Sequence, residues 1–286
     1  MAVTVKPLTP VFAAEVSGID ATGPVPDGDF AALRAALDEY SVLVLHDQPV
    51  TDAQQVVFSE RFGELEDSLV GTKGQGTPFA PLGNIGEDGA LIDPTSQRQL
   101  FQKANEFWHT DSSFKPWPPL ASLLIGRVCP PEGGETEFAS MRAAYDALPE
   151  ETKAKLAGLW CEHDLARSRE MVAPGAMTAD QRAAYPPVRH AMVRANPANG
   201  RRNLFLGTHV TRVIGMPEPD SRNLIDALMA FGTQERFVYR HVWRAGDLVI
   251  WDNRCVLHRG LPWDRTRYPR SIQRTTIAGT GPTVAA

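Results

Sequence analysis

The chain has few cysteines, which makes several kinds of site improbable. It contains three, an odd number, and no two of them form a CxxC pair. A disulfide-stapled fold or a zinc ribbon needs more cysteines at closer spacing. The sequence therefore predicts reduced, mostly buried thiols in a cytoplasmic protein. Cys255 lies close to His258, but strand alternation would place the two side chains on opposite faces, so we do not expect Cys255 to bind a metal.

Long apolar runs and an excess of positive charge are also missing. No stretch of about 18 apolar residues occurs, and residues 1–6 contain no apolar segment of a secretion signal. We therefore expect no membrane span. Acidic residues outnumber Lys and Arg by 34 to 29, and the net charge of −5 disfavours binding to nucleic acid. The arginines that crowd between Arg254 and Arg274 indicate a small anionic ligand instead.

Neither an internal repeat nor a low-complexity linker divides the chain, so the sequence predicts one domain over residues 1–286. Apolar spacing and capping residues predict helices over 27–40, 51–62, 141–148, 150–160 and 221–231. Strand-like runs are 41–46, 120–128, 136–138, 203–206, 237–243, 247–251 and 271–277, with a hairpin turn at 244–246. This pattern indicates a mainly β fold with flanking helices, a double-stranded β-helix or jelly roll.

The most informative motif is His109-Thr110-Asp111, and a third candidate ligand, His258, lies 147 residues after Asp111. Two histidines and one carboxylate can occupy one face of an octahedral metal ion and leave the other positions open. This is the donor set of non-haem Fe(II) oxygenases. Taken alone, a His-x-Asp triplet is better explained as two polar residues in a turn. A jelly roll supplies the missing context, because ligands distant in sequence can meet at one open end of it.

Arg270 and Arg274 follow His258 by twelve and sixteen residues. A guanidinium binds a carboxylate through two parallel hydrogen bonds, a geometry that lysine cannot copy. Because the two positions are an even number apart, an extended strand would point both side chains to one face. The pair predicts two anchors for anionic groups beside the metal. The alternative is a pair of solvated surface residues, which is the usual environment of arginine.

Residues 66–104 are rich in Gly and Pro near their start and have no clear periodicity before Leu100. A long loop within a compact domain is usually functional or disordered. Because this stretch runs directly into the His109 motif, we interpret it as a lid over the site. Residues 171–187 are a second candidate lid. A surface loop without function explains the composition of 66–104 equally well.

Five runs of the chain are long and specific: 41–44 (SVLV), 133–138 (GGETEF), 141–149 (MRAAYDALP), 236–241 (RFVYRH) and 251–260 (WDNRCVLHRG). With the His109 motif and the two arginines, they resemble the taurine dioxygenase superfamily of Fe(II)- and 2-oxoglutarate-dependent oxygenases. The likeness covers nearly the whole chain and is least in the first lid. The interval from His258 to Arg270 is one residue longer than in similar members, so the arginines are aligned through the run RSIQRTT.

The resemblance implies a role for each matching residue around the metal. His109, Asp111 and His258 would bind Fe(II). Arg270 would pair with the distal carboxylate of 2-oxoglutarate. Thr136 would donate a hydrogen bond to the carboxylate of 2-oxoglutarate near the metal.

The resemblance also implies residues that contact the remaining groups. Arg274 would bind the carboxylate of the organic substrate. Asn105 and Trp251 match positions in the co-substrate pocket, and Ser112 is a further pocket candidate. Lys73, in the first lid, is the alternative cation for the substrate if Arg274 does not bind it.

The reaction implied by the resemblance consumes O2 and 2-oxoglutarate, forms succinate and CO2, and hydroxylates a small organic acid. An aryloxyalkanoate such as 2,4-dichlorophenoxyacetate is the expected substrate, which would yield a phenol and glyoxylate. Taurine, an alkyl sulfate or another aryl-alkanoic acid are alternatives. A different class of protein, a non-catalytic jelly-roll binding protein with a structural zinc ion, would need a fourth metal ligand. The sequence leaves the oligomeric state open, a homo-oligomer included.

Overall fold

The structure is a computed structural model that describes residues 2–70, 72–172, 174–175 and 177–286. Its strands are β1 (Thr4–Pro7), β2 (Ala14–Ser17), β3 (Val42–Leu45), β4 (Ala80–Gly83), β5 (Ala121–Val128), β6 (Thr136–Ser140), β7 (Trp160–His163), β8 (Val188–Ala191), β9 (Val193–Ala195), β10 (Arg202–Leu204), β11 (Val210–Val213), β12 (Val238–His241), β13 (Leu248–Asp252), β14 (Val256–Gly260) and β15 (Ser271–Ile277).

The α-helices of the same residues are α1 (Asp27–Tyr40), α2 (Asp52–Glu60), α3 (Gln97–Lys103), α4 (Met141–Asp146), α5 (Glu150–Leu156), α6 (Leu165–Glu170), α7 (Ala179–Ala184) and α8 (Glu218–Gly232). Short 3-10 turns cover Ala104–Glu106 and Glu235–Phe237. None of the helices in the described ranges is long and apolar enough to cross a membrane.

The predicted positions of α1 and α2 are confirmed, and their sequences explain them. In α1 the residues Phe30, Leu33 and Leu37 recur at helical spacing and are buried. Helix α2 begins after Thr51, whose side chain accepts a hydrogen bond from the backbone N–H of Gln54 in a capping box. The buried face of α1 and the end of α2 cover one side of the large sheet.

The large sheet has seven strands in the order β1-β2-β3-β13-β5-β15-β4. Successive side chains of a strand point to opposite faces, and both faces of the central strands are buried. Leu43 and Leu123 belong to the apolar cluster under α1, whereas Val44 and Leu124 belong to a second cluster on the other face. Being buried on both faces explains why these strands are mostly apolar, with Ser122 of β5 and Asp252 of β13 among the exceptions.

A second sheet, in the order β12-β6-β14, packs against that other face through Phe138 and Val256. The expected mainly β fold with flanking helices is therefore confirmed, and its core is the two facing sheets of a jelly roll. The strand pairing of the described residues does not close into a barrel. The ends of the facing sheets carry the candidate site.

The hairpin predicted at 244–246 is wrong. β12 pairs with β6 in the small sheet, whereas β13 pairs with β3 and β5 in the large one. The chain crosses between sheets at Gly246, whose φ of 87° is easily adopted by glycine. Apolar alternation predicts that two strands follow each other, but it carries no information about their partners.

Two further element predictions need correction. The helix predicted over 150–160 ends at Leu156, and Trp160 instead begins β7 after Gly158, whose φ is 75°. Residues 66–104 are not one continuous loop, because they contain β4 and α3. β4 is an edge strand of the large sheet, where a proline such as Pro81 is tolerated.

Candidate active site

The three candidate metal ligands lie together. The backbone N–H of His109 donates to the carbonyl oxygen of His258 at 3.0 Å, and the reverse bond is 2.7 Å long, so β14 fixes both residues. Nε2 of each histidine is 3.9 Å from Oδ1 of Asp111, and the three ligand atoms lie within 4.8 Å of one another. Over the described part of the chain, no fourth His, Cys, Asp or Glu joins this group. One ion can therefore contact all three side chains and keep open positions.

Neighbouring groups orient these ligands. Nδ1 of His109 is 2.8 Å from the carbonyl oxygen of Phe107, so this nitrogen holds the proton and Nε2 offers its lone pair. The hydroxyl of Ser122 donates to Oδ2 of Asp111 at 2.7 Å. All three ligands are buried. The oriented imidazole of His109 and carboxylate of Asp111, with the imidazole of His258, whose Nδ1 has no hydrogen-bond partner, fit a divalent transition metal.

The electrostatics of the site favour the protonation states that a metal requires. Burial lowers the pKa of His109, and it lowers the pKa of His258 well below the usual value. Burial alone would raise the pKa of Asp111, but Arg274 and the two histidines outweigh it and lower this pKa to about 2. At neutral pH the imidazoles are therefore neutral and the carboxylate is ionised, as metal binding demands.

Beside the triad lies a cavity of about 50 Å³ that Arg270 borders together with Thr136, Trp251 and His258. Arg270 is 7% exposed, and its Nη2 donates to the carbonyl oxygen of Gly134 at 3.2 Å. Its Nε has no partner, and burial lowers the pKa of the guanidinium to about 10. A buried guanidinium with a spare donor fits the distal carboxylate of 2-oxoglutarate.

Thr136 and Trp251, which also border this cavity, have defined orientations. The Thr136 hydroxyl accepts a hydrogen bond from Nε1 of Trp243 at 2.9 Å, so its own proton remains available to a ligand. Trp251 is fully buried and its Nε1 donates to Asn253 at 2.8 Å. The ring of Trp251 lies 4.6 Å from that of His258, between centroids, and so forms a wall of the site.

A larger cavity of about 380 Å³ lies on another side of the triad and is bordered by Arg274, Ser112, Lys73 and Asn105. Asn105 borders this cavity, the 50 Å³ cavity and a third of about 40 Å³, and so lies at their junction. Arg274 also borders all three, and its Nη1 contacts Oδ1 of Asp111. The sequence did not predict this ion pair, which places the guanidinium directly beside a candidate metal ligand.

Ser112 and Lys73 both border the 380 Å³ cavity, and Ser112 also borders the 40 Å³ cavity with His109 and Asp111. Ser112 has a φ of 46° immediately after Asp111, which turns the chain at the edge of the cavity. The ammonium of Lys73 is 3.4 Å from a carboxylate oxygen of Glu87, and its side chain is partly exposed. Lys73 thus already has an acidic partner.

The two candidate lids contact each other at the large cavity. The backbone N–H of Val70 donates to the hydroxyl of Tyr185 at 3.0 Å, and Nε2 of Gln181 donates to the carbonyl oxygen of Val70 at 2.9 Å. Within the lids, residues 71, 173 and 176 lie outside the described residues. The cavity is bordered by residues from both segments, Leu69 and Thr178 among them.

Two residues without a predicted role lie at the site. His209 is buried, with its ring 6.2 Å from that of His109, and its Nδ1 is 3.0 Å from the hydroxyl of Ser113. Arg169 borders both the 380 Å³ and the 40 Å³ cavities. Neither residue belongs to a recognisable motif, so no signal in the sequence singles them out.

Comparisons with known proteins agree with this geometry. The family model "Taurine catabolism dioxygenase TauD, TfdA family" matches residues 4–276. The alpha-ketoglutarate-dependent 2,4-dichlorophenoxyacetate dioxygenase of Cupriavidus pinatubonensis is 40% identical over 96% of this chain and 98% of its own length. The (S)-phenoxypropionate/alpha-ketoglutarate-dioxygenase of Sphingobium herbicidovorans is 34% identical over 96% and 94%. The crystal structure of AAD-2 with Mn(II) and N-oxalylglycine covers 100% of both chains at 40% identity, with a TM-score of 0.92.

The chain belongs to the TauD, TfdA family of dioxygenases. The predicted enzyme class is confirmed: it is a 2-oxoglutarate-dependent dioxygenase that uses Fe(II), with 2-oxoglutarate and O2 as co-substrates. The alternative of a non-catalytic zinc-containing binding protein is not supported, since the triad has no fourth ligand among the described residues.

Proposed function

We propose that this dioxygenase hydroxylates an aryloxyalkanoate, with 2,4-dichlorophenoxyacetate as the representative substrate. Two of its relatives carry names that specify 2,4-dichlorophenoxyacetate and phenoxypropionate, at 40% and 34% identity over nearly full length. Hydroxylation of the carbon beside the ether oxygen gives a hemiacetal, which breaks into a phenol and glyoxylate. One 2-oxoglutarate and one O2 are consumed, and succinate and CO2 are released.

The chain's own residues position the reactants. His109, Asp111 and His258 hold the iron. Bound Fe(II), 2-oxoglutarate and O2 supply the oxidising chemistry, and the protein supplies orientation and a cavity that excludes water. Arg270 pairs with the distal carboxylate of 2-oxoglutarate, and the free proton of Thr136 is donated to the carboxylate nearer the metal. Both residues border the 50 Å³ cavity, which fits only a part of a small ligand.

Arg274 recognises the acidic group of the substrate. The 380 Å³ cavity is bordered by four cationic side chains, those of Lys73, Arg98, Arg169 and Arg274, and by two acidic ones, those of Glu66 and Asp67. This surplus of positive charge favours an anion. The volume of the cavity is in the range of cavities that bind small organic molecules. Asn105 and Trp251 shape the boundary between substrate and co-substrate, and Ser112 lines the substrate side.

The observation that carries the proposal is the placement of two arginines beside one metal triad: Arg270 borders only the 50 Å³ cavity, whereas Arg274 also borders the 380 Å³ cavity. A dianionic co-substrate and an anionic substrate need separate anchors, and each arginine provides one. The substrate is therefore a small organic anion. A cytoplasmic location, the one-domain organisation and a homo-oligomeric state stay predictions.

The test compares an aryloxyacetate with its neutral amide in the parent enzyme and in Arg274→Ala. The parent should form succinate with the acid and little with the amide, because the amide offers no charge to the guanidinium. Arg274→Ala should lose the preference for the acid but still bind 2-oxoglutarate and decarboxylate it slowly without substrate. Equal turnover of acid and amide by the parent would contradict the proposal. Taurine, an alkyl sulfate and an aryl-alkanoic acid complete the panel and identify the alternative substrates.

A further inference from the structure

Arg169 has an unusual environment for an arginine. It lies on the short helix α6, is 7% exposed, and has no carboxylate within 4.0 Å among the residues that the structure describes. Its Nη1 makes one long hydrogen bond, 3.3 Å, to the carbonyl oxygen of Phe101. Its Nε has no hydrogen-bond partner. Burying an unpaired charge costs several kcal/mol, roughly, unless a partner compensates it.

The buried arginines Arg254 and Arg142 have the partners that Arg169 lacks, and Arg194, whose Nε and Nη1 also have none, borders none of the three cavities. Arg254 donates to Asp252 and Asp38 at 2.8 and 2.9 Å. Arg142 donates to the carbonyl oxygens of Asp38 and Glu39, both at 2.8 Å. These two arginines have structural roles, because the guanidinium of each donates its hydrogen bonds to acceptors of the protein itself.

Arg169 shares its environment with Arg270 instead. Both guanidiniums are buried, each donates one bond to a backbone carbonyl, and each has an Nε without a partner. Burial lowers the pKa of each to about 10, and no acidic side chain opposes this at Arg169. Arg270 is the proposed anchor for one carboxylate. The same environment around Arg169 indicates a second site for an anion.

The position of Arg169 identifies which anion this is. It borders the 380 Å³ cavity with Arg274, and it borders the 40 Å³ cavity together with Arg274, His109 and Asp111. It does not border the 50 Å³ cavity of Arg270. The group that reaches Arg169 therefore belongs to the substrate and not to 2-oxoglutarate.

Phe101 holds the guanidinium in place mainly by stacking of its ring, and its carbonyl oxygen uses only the Nη1 donor. The guanidinium carbon lies 3.8 Å from the centroid of the Phe101 ring, so one face of the plane is stacked on the ring. The N–H groups point along the edges of that plane, and those not used in the Nη1 bond to Phe101 remain available for a ligand. Arg274, by contrast, already contacts Asp111. The two arginines also repel each other, and an anion between them relieves that repulsion.

We propose that Arg169 and Arg274 form a two-arginine clamp for the acidic group of the substrate, and that Arg169 determines the preference for acids over neutral analogues. This inference rests on the proposed function, because it assumes an anionic substrate in the 380 Å³ cavity. The ligand class is a small organic monoanion whose carboxylate accepts hydrogen bonds from both guanidiniums. Lys73 is not part of the clamp, since it is paired with Glu87.

The test measures binding rather than turnover. Protein loaded with Mn(II) and N-oxalylglycine is titrated calorimetrically with an aryloxyacetate and, separately, with its neutral amide. The proteins are the parent, Arg169→Gln, Arg169→Lys and the matched control Arg167→Gln. Arg167 lies on the same helix α6 but borders none of the three cavities.

Arg169→Gln should weaken binding of the acid at least about tenfold, since it removes charge-assisted hydrogen bonds, and should leave binding of the amide unchanged. Arg169→Lys should fall between Arg169→Gln and the parent, because it keeps the charge but not the planar fork. Arg167→Gln should match the parent. The affinity for N-oxalylglycine should be the same in all four proteins.

An unchanged ratio of acid to amide affinity in Arg169→Gln overturns the clamp, as does a parallel loss of both, which would mean that Arg169 only supports Phe101. If Arg169→Gln does not fold, the ratio in Arg169→Lys decides in the same way. Succinate formation by the parent with the acid panel is measured first. A parent that turns over no acid refutes the proposed function, whereas a parent that prefers acids beside an Arg169→Gln variant with the same preference refutes the clamp alone.

Discussion

The two sides of the metal triad are built differently. The proposed co-substrate side is bordered by Thr136 and Trp251, which lie on strands of the facing sheets and are buried, and by Arg270 immediately before β15. The substrate side is bordered mostly by residues 66–105 and by residues from the segment around α7, many of them half-buried or exposed. The strand residues of the first side are fixed by backbone hydrogen bonds, whereas most of the second side, β4 apart, is held by contacts between two connecting segments.

This difference separates the chemistry of the enzyme from its selectivity. Residues on paired strands keep their positions because neighbouring strands fix the backbone, which suits a co-substrate that is always the same. Connecting segments tolerate changes of sequence and length, which suits the recognition of a variable substrate. Variants of the co-substrate side should therefore stop the reaction, whereas variants of the substrate side should change which acid is accepted.

The largest effect is expected at the triad, which serves both sides. His109→Ala, Asp111→Ala and His258→Ala should each lower succinate formation more than about a hundredfold, since even the loss of an outer-sphere partner of a metal ligand costs 10- to 100-fold. Bound iron, measured by elemental analysis, should fall in parallel, while circular dichroism stays that of the parent. Asp88→Ala, at an exposed aspartate, is the control. Full activity of any triad variant would remove that residue from the metal site.

Arg270→Ala should affect the co-substrate side alone. The distal carboxylate of 2-oxoglutarate loses a charge-assisted partner, and each such hydrogen bond contributes roughly 1.5–3 kcal/mol, so the Kd should rise at least about tenfold. The anaerobic absorption of the Fe(II)–2-oxoglutarate complex measures this Kd directly. Arg267→Ala, at an exposed position three residues earlier, should behave as the parent. An identical titration curve for Arg270→Ala and the parent would show that this arginine is not the anchor.

Thr136→Val should have a milder effect on the same side. It removes one neutral donor to the co-substrate, and it also leaves Nε1 of Trp243 without its acceptor. A hydrogen bond of this kind contributes about 0.5–1.5 kcal/mol, which corresponds to a roughly two- to tenfold rise in the Kd of 2-oxoglutarate. Thr136→Ser keeps the hydroxyl and should restore the parent value. A Thr136→Ser variant as weak as Thr136→Val would indicate that the methyl group matters instead.

The same contrast explains how far the sequence could predict this molecule. His258 and both arginines lie on or next to strands, and His109 is bridged to His258 of β14, so their convergence was predictable, and the structure brings the triad and both arginines together. The pairing partners of the strands were not predictable from the sequence, because apolar alternation is identical whether β13 pairs with β12 or with β3. This is why the hairpin at 244–246 was wrong.

Fewer features of the substrate side could be predicted from the sequence. The edge strand β4 contains two residues, Pro81 and Gly83, that are unfavourable in a strand, so its sequence resembles that of a loop. Arg169 and His209 approach the triad through the tertiary fold alone, with no motif around them. Lys73 was singled out because it is a cation in the lid, yet its partner Glu87 lies 14 residues away in a region without periodicity. Such residues could be identified only from the side-chain contacts in the structure.

The smallest expected effect tests whether the two sides are independent. Tyr185→Phe removes the hydroxyl that accepts the Val70 N–H, while the ring can keep its edge contact with Phe114 at 5.5 Å between centroids. The loss of one hydrogen bond between the lids should weaken binding of the substrate by roughly two- to tenfold, from about 0.5–1.5 kcal/mol. The Kd of 2-oxoglutarate should not change, because β6, β13 and β15 do not depend on this contact. Calorimetric titration of both ligands measures the two effects in one preparation.

Hydrogen exchange of the Val70 amide gives an independent reading, since it should accelerate in Tyr185→Phe as this amide loses its acceptor. Tyr145→Phe is the matched control: Tyr145 is a buried tyrosine on α4 that borders none of the three cavities. If the affinity for 2-oxoglutarate falls together with that for the substrate in Tyr185→Phe, the hydrogen bond between the two lids also stabilises the co-substrate side. The division between a fixed co-substrate side and an adaptable substrate side would then be wrong, and selectivity could not be altered there without a loss of chemistry.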